Sequence, residues 1–278
     1  VQAIQALPPE LRESKNSPAS IEGTRRHMLM EYRFHHPKAP NPTQIADPNG
    51  GDPWLITSDD VRAVDKIWPY IATHKALTPQ IGNAVFCEAK VDLSKALKLP
   101  EGTVTGTADW VLVTRNELEI CDIKFGRWLV HPDSLQLKAY AVGAYSLLLD
   151  ANNELRPEHR QIRTIRLTIL QPESSDVVRT QLYSNDDAVK WAAEIAGIVR
   201  QAKRPDAPRI PGDTQCKFCP AAAQCPERTA KVASVFENLF QEEPMPTETP
   251  APIASVDTIT ELAELKMTQD PGDLDAEQ

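Results

Sequence analysis

Apolar and polar positions alternate most clearly in the middle of the chain. Residues 84–93, "AVFCEAKVDL", and 103–114, "TVTGTADWVLVT", read as strands, and Arg115–Asn116 turns the second into a third opening at 117–128, "ELEICDIKFGRW". Alternation places Glu119, Cys121, Ile123 and Phe125 on one face of that third strand and Ile120, Asp122 and Lys124 on the other. Two more strands are predicted over 161–170, "QIRTIRLTIL", and 177–183. Helical spacing governs the flanks. A helix is predicted from Ser20, as its cap, to His35. A second starts at Ser58, with Asp59 and Asp60 in its first turn, an apolar stripe through Val64, Ile67 and Ile71, and a kink expected at Pro69. Further helices are predicted over 133–149 and 186–202, the latter opened by the capping pair Ser184 and Asp187. Five prolines mark 36–57 as a loop. The order helix, three strands, helix, strands, helix predicts one α/β domain, a central mixed sheet flanked by helices.

Composition changes this picture mainly at the C-terminus. The chain has 278 residues, with 41% hydrophobic and 25% charged, ordinary for a globular protein. No run approaches the roughly 18–20 apolar residues of a membrane span, so no membrane partner is expected, and a cytoplasmic location is. The net charge of −9 is uneven. From Glu237 to Gln278 there are eleven acids and one base, which leaves 28 of the 39 acids and 29 of the 30 bases for the rest. A near-neutral body therefore carries an acidic tail, 236–278, expected to be largely disordered except for one possible short helix at 256–266. Charge leaves nucleic-acid binding open, because a neutral body can still hold a basic groove.

Asp122 and Lys124 share a strand face, which by itself reads more readily as a solvated cross-strand ion pair than as a site. Asp109 alters the balance. Across a hairpin turning at Asn116, positions summing to about 231 or 232 pair, so Asp109 falls opposite Asp122 or its neighbour. Two facing carboxylates repel unless a cation lies between them. Oxygen ligands suit a hard divalent ion, Mg²⁺ or Mn²⁺. Lys124 would then offset charge on a phosphate oxygen. Glu88, on the first strand, either completes the metal shell or points to solvent. Gln136 and Tyr140, spaced i, i+4, share a helix face and either form an ordinary pair or reach the site. Glu31 follows His27 by four residues and so shares its helix face. The remaining histidines give no argument beyond surface placement.

"GTADWVLV", "EICDIKFG" and "QLKAY" together resemble the RecB-type branch of the PD-(D/E)xK nuclease superfamily, with its G-x-x-D, D-x-K-x-G and Q-x-x-x-Y motifs at Gly106–Asp109, Asp122–Gly126 and Gln136–Tyr140. "EGTRRHMLME" resembles the same branch's G-x-x-x-H helix through Gly23 and His27. The resemblance covers residues 22–140. It implies a restriction-endonuclease-like core and a metal-dependent deoxyribonuclease, an exonuclease by analogy, acting in phage or bacterial DNA recombination, repair or replication, in the cytoplasm of a bacterial or phage-infected cell. Its partners would be DNA and other proteins of those processes. By the same resemblance His27, Asp109, Asp122 and the Ile123 carbonyl bind Mg²⁺ or Mn²⁺, Lys124 assists, and Gln136 and Tyr140 position the strand. Two other classes compete: a non-cleaving DNA-binding subunit with this fold, and a zinc-containing interaction module in which D-x-K is incidental.

Cys216, Cys219 and Cys225 form C-x2-C-x5-C, spacing too tight for unrelated buried thiols and suited to zinc or an iron–sulfur cluster. Both normally need a fourth ligand. Within the chain the candidates are Cys87 and Cys121, the latter expected in the core. The nuclease branch includes AddB-like and CRISPR-associated members with a [4Fe–4S] cluster, one cysteine preceding the histidine helix and three near the C-terminus. Resemblance to a phage-encoded family of this type implies that the first cysteine lies upstream of Val1. The expected layout is a nuclease domain over 1–235, including the cysteine segment 210–228, followed by the tail.

Overall fold

Hydrophobic residues on both faces of a central sheet dictate three layers. In the computed structural model, residues 17–76, 83–149, 155–217 and 219–240 are described. They fall into two compact units, one within Pro9–Arg209 and one beginning at Ile210. The first holds helix α1 (Pro18–His35), the short pair β1 (Gln44–Ile45) and β2 (Trp54–Leu55), and helix α2 (Ser58–Ala76). It continues with β3 (Ala84–Asp92), β4 (Thr105–Val113), β5 (Glu117–Ile123), α3 (Leu135–Ala144), β6 (Thr164–Leu170), β7 (Val178–Ser184) and α4 (Asn185–Ala202).

The sheet runs β3-β4-β5-β6-β7, antiparallel throughout except for the parallel pair β5–β6. A parallel pair needs a crossover, and α3 supplies it. Alternation along β4 and β5 then sorts the core. Val111, Val113, Leu118 and Ile120 pack beneath Leu137 and Ala141 of α3 and Trp191 and Ile195 of α4. Trp110, Leu112, Cys121 and Ile123 pack beneath Leu29 and Met30 of α1 and Val64, Ile67 and Ile71 of α2. The chain is thus an α/β protein with a five-stranded mixed sheet flanked by helices. No helix of the described residues is long and apolar enough to cross a membrane.

Several local expectations shift. Helix α1 starts before Ser20: Ser17 is the cap, its hydroxyl accepting from Ser20 N at 3.2 Å, and Pro18 occupies the first turn, where its missing N–H costs nothing. Helix α2 passes through Pro69 and continues to Ala76. The proline-rich loop contains the β1–β2 pair, too short for any alternation to announce. The helix predicted over 133–149 is α-helical only to Ala144, after which Tyr145–Leu148 tightens into a 3₁₀ turn. The Ser184–Asp187 capping pair is present, with Ser184 N and Oγ donating to the Asp187 carboxylate at 3.0 and 2.8 Å. His159 is buried rather than surface-placed, and His74 stacks on Tyr70 with Nε2 3.4 Å from the buried Glu119.

The unit beginning at Ile210 contains α5 (Asp213–Lys217), a 3₁₀ turn at Ala222–Gln224, and α6 (Pro226–Phe240), which runs beyond the boundary expected at 235. The expected tail after residue 240, with its possible helix at 256–266, lies outside the described residues.

Helices α1 and α2 are joined by one buried carboxylate. Asp60, fully buried, accepts from Arg25 Nε (2.8 Å) and Nη2 (3.0 Å), Arg26 Nε (3.1 Å), Thr57 N (2.8 Å) and Thr57 Oγ1 (2.7 Å). Burial raises its pKa, but the hydrogen bonds from Arg25 and Thr57 outweigh burial and hold it below the usual carboxylate range. Because Arg26 is also buried, removing the acid strands a cation. Asp60→Ala should cost about 3–5 kcal/mol, measured as a lower urea midpoint at unchanged slope; a loss under about 1 kcal/mol would mean the network behaves as a surface pair.

Candidate metal and active site

The β4–β5 ladder ends at Trp110↔Cys121, whose positions sum to 231, so the next pair would be Asp109 and Asp122. The strands instead part there. Asp109 Oδ2 accepts the Ile123 N–H at 2.6 Å, a side chain standing in for a ladder bond. On the other neighbour, Cys87↔Trp110 and Ala89↔Ala108 pair normally, but Glu88 between them has φ of 51°. Few non-glycine residues adopt that conformation, and it costs on the order of 1–3 kcal/mol. The kink brings Glu88 to the cluster.

Helix α1 adds His27. Its Nδ1 lies 3.8 Å from Asp109 Oδ1 and 4.0 Å from Glu88 Oε1, too far for hydrogen bonds. Its ring stands edge-on to Phe125 at 5.1 Å. The ligand atoms of His27, Glu88 and Asp109 all lie within 4.8 Å of one another. Bonds of about 2.0–2.1 Å put two ligands of one Mg²⁺ up to roughly 4.2 Å apart, so the His27 distances fit a shared ion.

Electrostatics agrees with the geometry. Burial, with Asp109 and Glu31 nearby, pushes Glu88 up to about 7. Burial likewise raises Asp109 to about 6, against the pull of the Ile123 N–H and Lys124. Asp122 is also raised, by burial and by Asp109. His27 is lowered to about 4 by burial, which outweighs Asp122. Without a cation, Glu88 is about half protonated near pH 7 and Asp109 takes up its proton nearer 6, while the imidazole stays neutral with a lone pair available. A divalent ion reverses that preference.

Asp122 is nearly buried and takes a different role from Asp109. Its Oδ1 accepts from Lys124 Nζ at 3.0 Å. Its Oδ2 lies 2.8 Å from the same nitrogen yet accepts no hydrogen bond of proper geometry among the described residues. Asp122 therefore stands beside the His27–Glu88–Asp109 group rather than in it. Lys124 Nζ also reaches Gln136 Oε1 at 3.5 Å, and Gln136 Nε2 donates to Tyr140 Oη at 2.9 Å. The Tyr140 ring lies on Gly106: a Cβ there would come within 2.7 Å of Cε1. The two motifs, distant in sequence, thus meet, glycine giving tyrosine its seat and tyrosine holding glutamine toward lysine.

Cys216, Cys219 and Cys225 belong to the other unit. Cys219 N donates to the Cys216 carbonyl at 3.3 Å, closing a turn, and both residues line one pocket. Cys225 Sγ donates to Glu227 at 3.4 Å. Cys121 is buried in the sheet core, as alternation predicted.

The chain belongs to a family described as "Protein of unknown function (DUF2800)", whose model matches residues 6–267. A solved structure titled "Crystal structure of SSO0001" is similar to 82% of this chain and 94% of that one, at 11% identity and a TM-score of 0.29, a likeness too loose to carry an argument.

Glu88 offers a test that separates site from scaffold. Glu88→Gly removes an acid crowded by like charges and relieves the positive φ. Stability should hold or rise by about 1 kcal/mol, while Mn²⁺ affinity, measured by calorimetry, should fall at least about tenfold (~1.4 kcal/mol). Native affinity should itself fall as pH drops from 7 through 6, since Glu88 and then Asp109 take up protons that the ion must displace. Undiminished Mn²⁺ binding in the glycine variant would remove Glu88 from the site.

Proposed function

We propose that this chain is a metal-dependent deoxyribonuclease with a PD-(D/E)xK core of the RecB type, acting as an exonuclease on bacterial or phage DNA. The observation that supports it most is the convergence of His27, Glu88 and Asp109 around one point, with Asp122 and Lys124 beside them. A bound Mg²⁺ or Mn²⁺ would supply Lewis acidity toward a phosphodiester oxygen and a more acidic water. His27, Glu88 and Asp109 would hold it, with Asp122 and the Ile123 carbonyl closing the shell on the β5 side.

The chain's own groups then divide the work. Asp122 anchors Lys124 Nζ, which keeps a positive charge where the phosphate gains negative charge in the transition state. Gln136 limits the swing of that ammonium, and Tyr140, seated on Gly106, limits the swing of Gln136. The C-x2-C-x5-C segment is proposed to hold a [4Fe–4S] cluster with a structural role, zinc being the alternative. DNA is the partner this reading requires; other recombination or replication proteins are compatible with it.

The experiment is digestion of end-labelled single- and double-stranded DNA with Mg²⁺ or Mn²⁺. Asp122→Asn should abolish cleavage, and Lys124→Ala should cut turnover by about 10²–10³-fold with little change in DNA affinity. Metal analysis of anaerobically purified protein should find iron, lost in Cys219→Ala. Metal-dependent DNA binding without cleavage would favour the non-cleaving subunit. Undiminished turnover in Asp122→Asn would remove the catalytic assignment, and zinc without iron would remove the cluster.

A further inference from the structure

Between Lys124 and Gln136 the chain crosses an exposed loop that is held unusually firmly from beneath. Gln171, fully buried just past β6, donates from Nε2 to the carbonyls of Gly126 (2.6 Å) and Trp128 (2.8 Å). Its Oε1 accepts from Arg179 Nη2 (2.5 Å) and Val130 N (3.4 Å). Arg179 Nε and Nη2 in turn donate to the Val130 carbonyl at 3.2 and 3.0 Å. One buried amide and one guanidinium thus fix the loop's backbone. At its tip Arg127, Trp128 and Leu129 are exposed, Trp128 at 80% and Leu129 at 59%. A buried polar network that fixes the backbone beneath an exposed tryptophan suits a binding platform, because the loop has less freedom left to lose when something stacks on the ring.

Trp128 borders a groove of about 830 Å³ lined also by Gly23 and Arg26 of α1, Arg62 and Lys66 of α2, and Phe125. Phe125 is the ring that His27 meets edge-on, so the groove and the metal-ligand cluster share a wall. The groove's charges largely cancel: Glu22 is paired with Arg26, and Asp59 with Arg62. Arg127, next to Trp128, has no ion-pair partner among the described residues. Walls this close to neutral attract phosphates weakly, so the aromatic ring is the groove's main recognition element.

We propose that Trp128 is a stacking platform for an unpaired nucleobase, which makes the groove a site for a single-stranded DNA end leading to the metal cluster. This rests on DNA being the substrate, as argued above. Arg127 would meet a flanking phosphate, and the ring would accept any base, since every base offers a π face.

The test is fluorescence anisotropy of labelled oligothymidylate and of a blunt duplex, in EDTA so that no cleavage occurs, across a salt series. Trp128→Ala should weaken single-strand binding about tenfold or more, by the same factor at every salt concentration, because a neutral ring releases no counterions. Trp128→Phe should bind within about threefold of the native chain, and duplex affinity should barely change. The thermal midpoint of Trp128→Ala should match the native value, as the ring is exposed. Native-like single-strand affinity in Trp128→Ala, an equal loss on the duplex, or no recovery with phenylalanine would overturn the proposal, as would a native protein that binds no single strand. Trp128-dependent binding by a protein that never cleaves would support the platform while defeating the nuclease reading.

Discussion

Three carboxylates gathered where water is scarce set the terms for the rest of this structure. Glu88, Asp109 and Asp122 come from three adjacent strands, and each has its pKa raised by burial. Like charges so placed destabilise a fold unless something answers them. The protein answers in part: the Ile123 N–H serves Asp109, and the Lys124 ammonium serves Asp122. Among the described residues Glu88 receives no comparable partner, and its backbone is bent into a left-handed conformation as well. An unrelieved acid on a strained backbone opposite a neutral histidine is the arrangement a divalent cation would complete.

The surrounding elements make sense as a frame for that point. Asp60 ties α1 to α2 through Arg25 and Arg26, the two residues before His27, so the network that joins the helices also fixes the histidine's position. Gly106 accommodates Tyr140, which aligns Gln136 with Lys124 from the opposite side of the sheet. Gln171 secures the loop that runs from Lys124 toward Gln136. These are three independent anchors, each built from buried polar groups or close packing, and all bear on the same few side chains.

Much of the frame was legible in the sequence because it depends on local periodicity. The turn at Arg115–Asn116 sets the hairpin register, which brings Asp109 to the point where the strands part beside Asp122. The i, i+4 spacing of Gln136 and Tyr140 predicts their shared face. What escaped depends on contacts distant in sequence. Nothing in "AVFCEAKVDL" signals that Glu88 leaves strand geometry, because its conformation arises where β3 meets β4 and α1. The five donors around Asp60 come from α1 and from Thr57 just ahead of α2, and helical spacing explains only why each helix forms. Gly106 looks like a motif position until Tyr140 is seen lying on it. Trp128 looks like an ordinary loop residue until Gln171, more than forty positions later, is found beneath it.

A crystal structure of the protein soaked in Mn²⁺, with anomalous scattering to locate the ion, would address the cluster most directly. One strong anomalous peak is expected within bonding distance of His27 Nδ1, Glu88 and Asp109, with both Asp carboxylates drawn toward it. A peak held by other residues, or none at these three at millimolar Mn²⁺, would contradict the reading of this cluster as a metal centre.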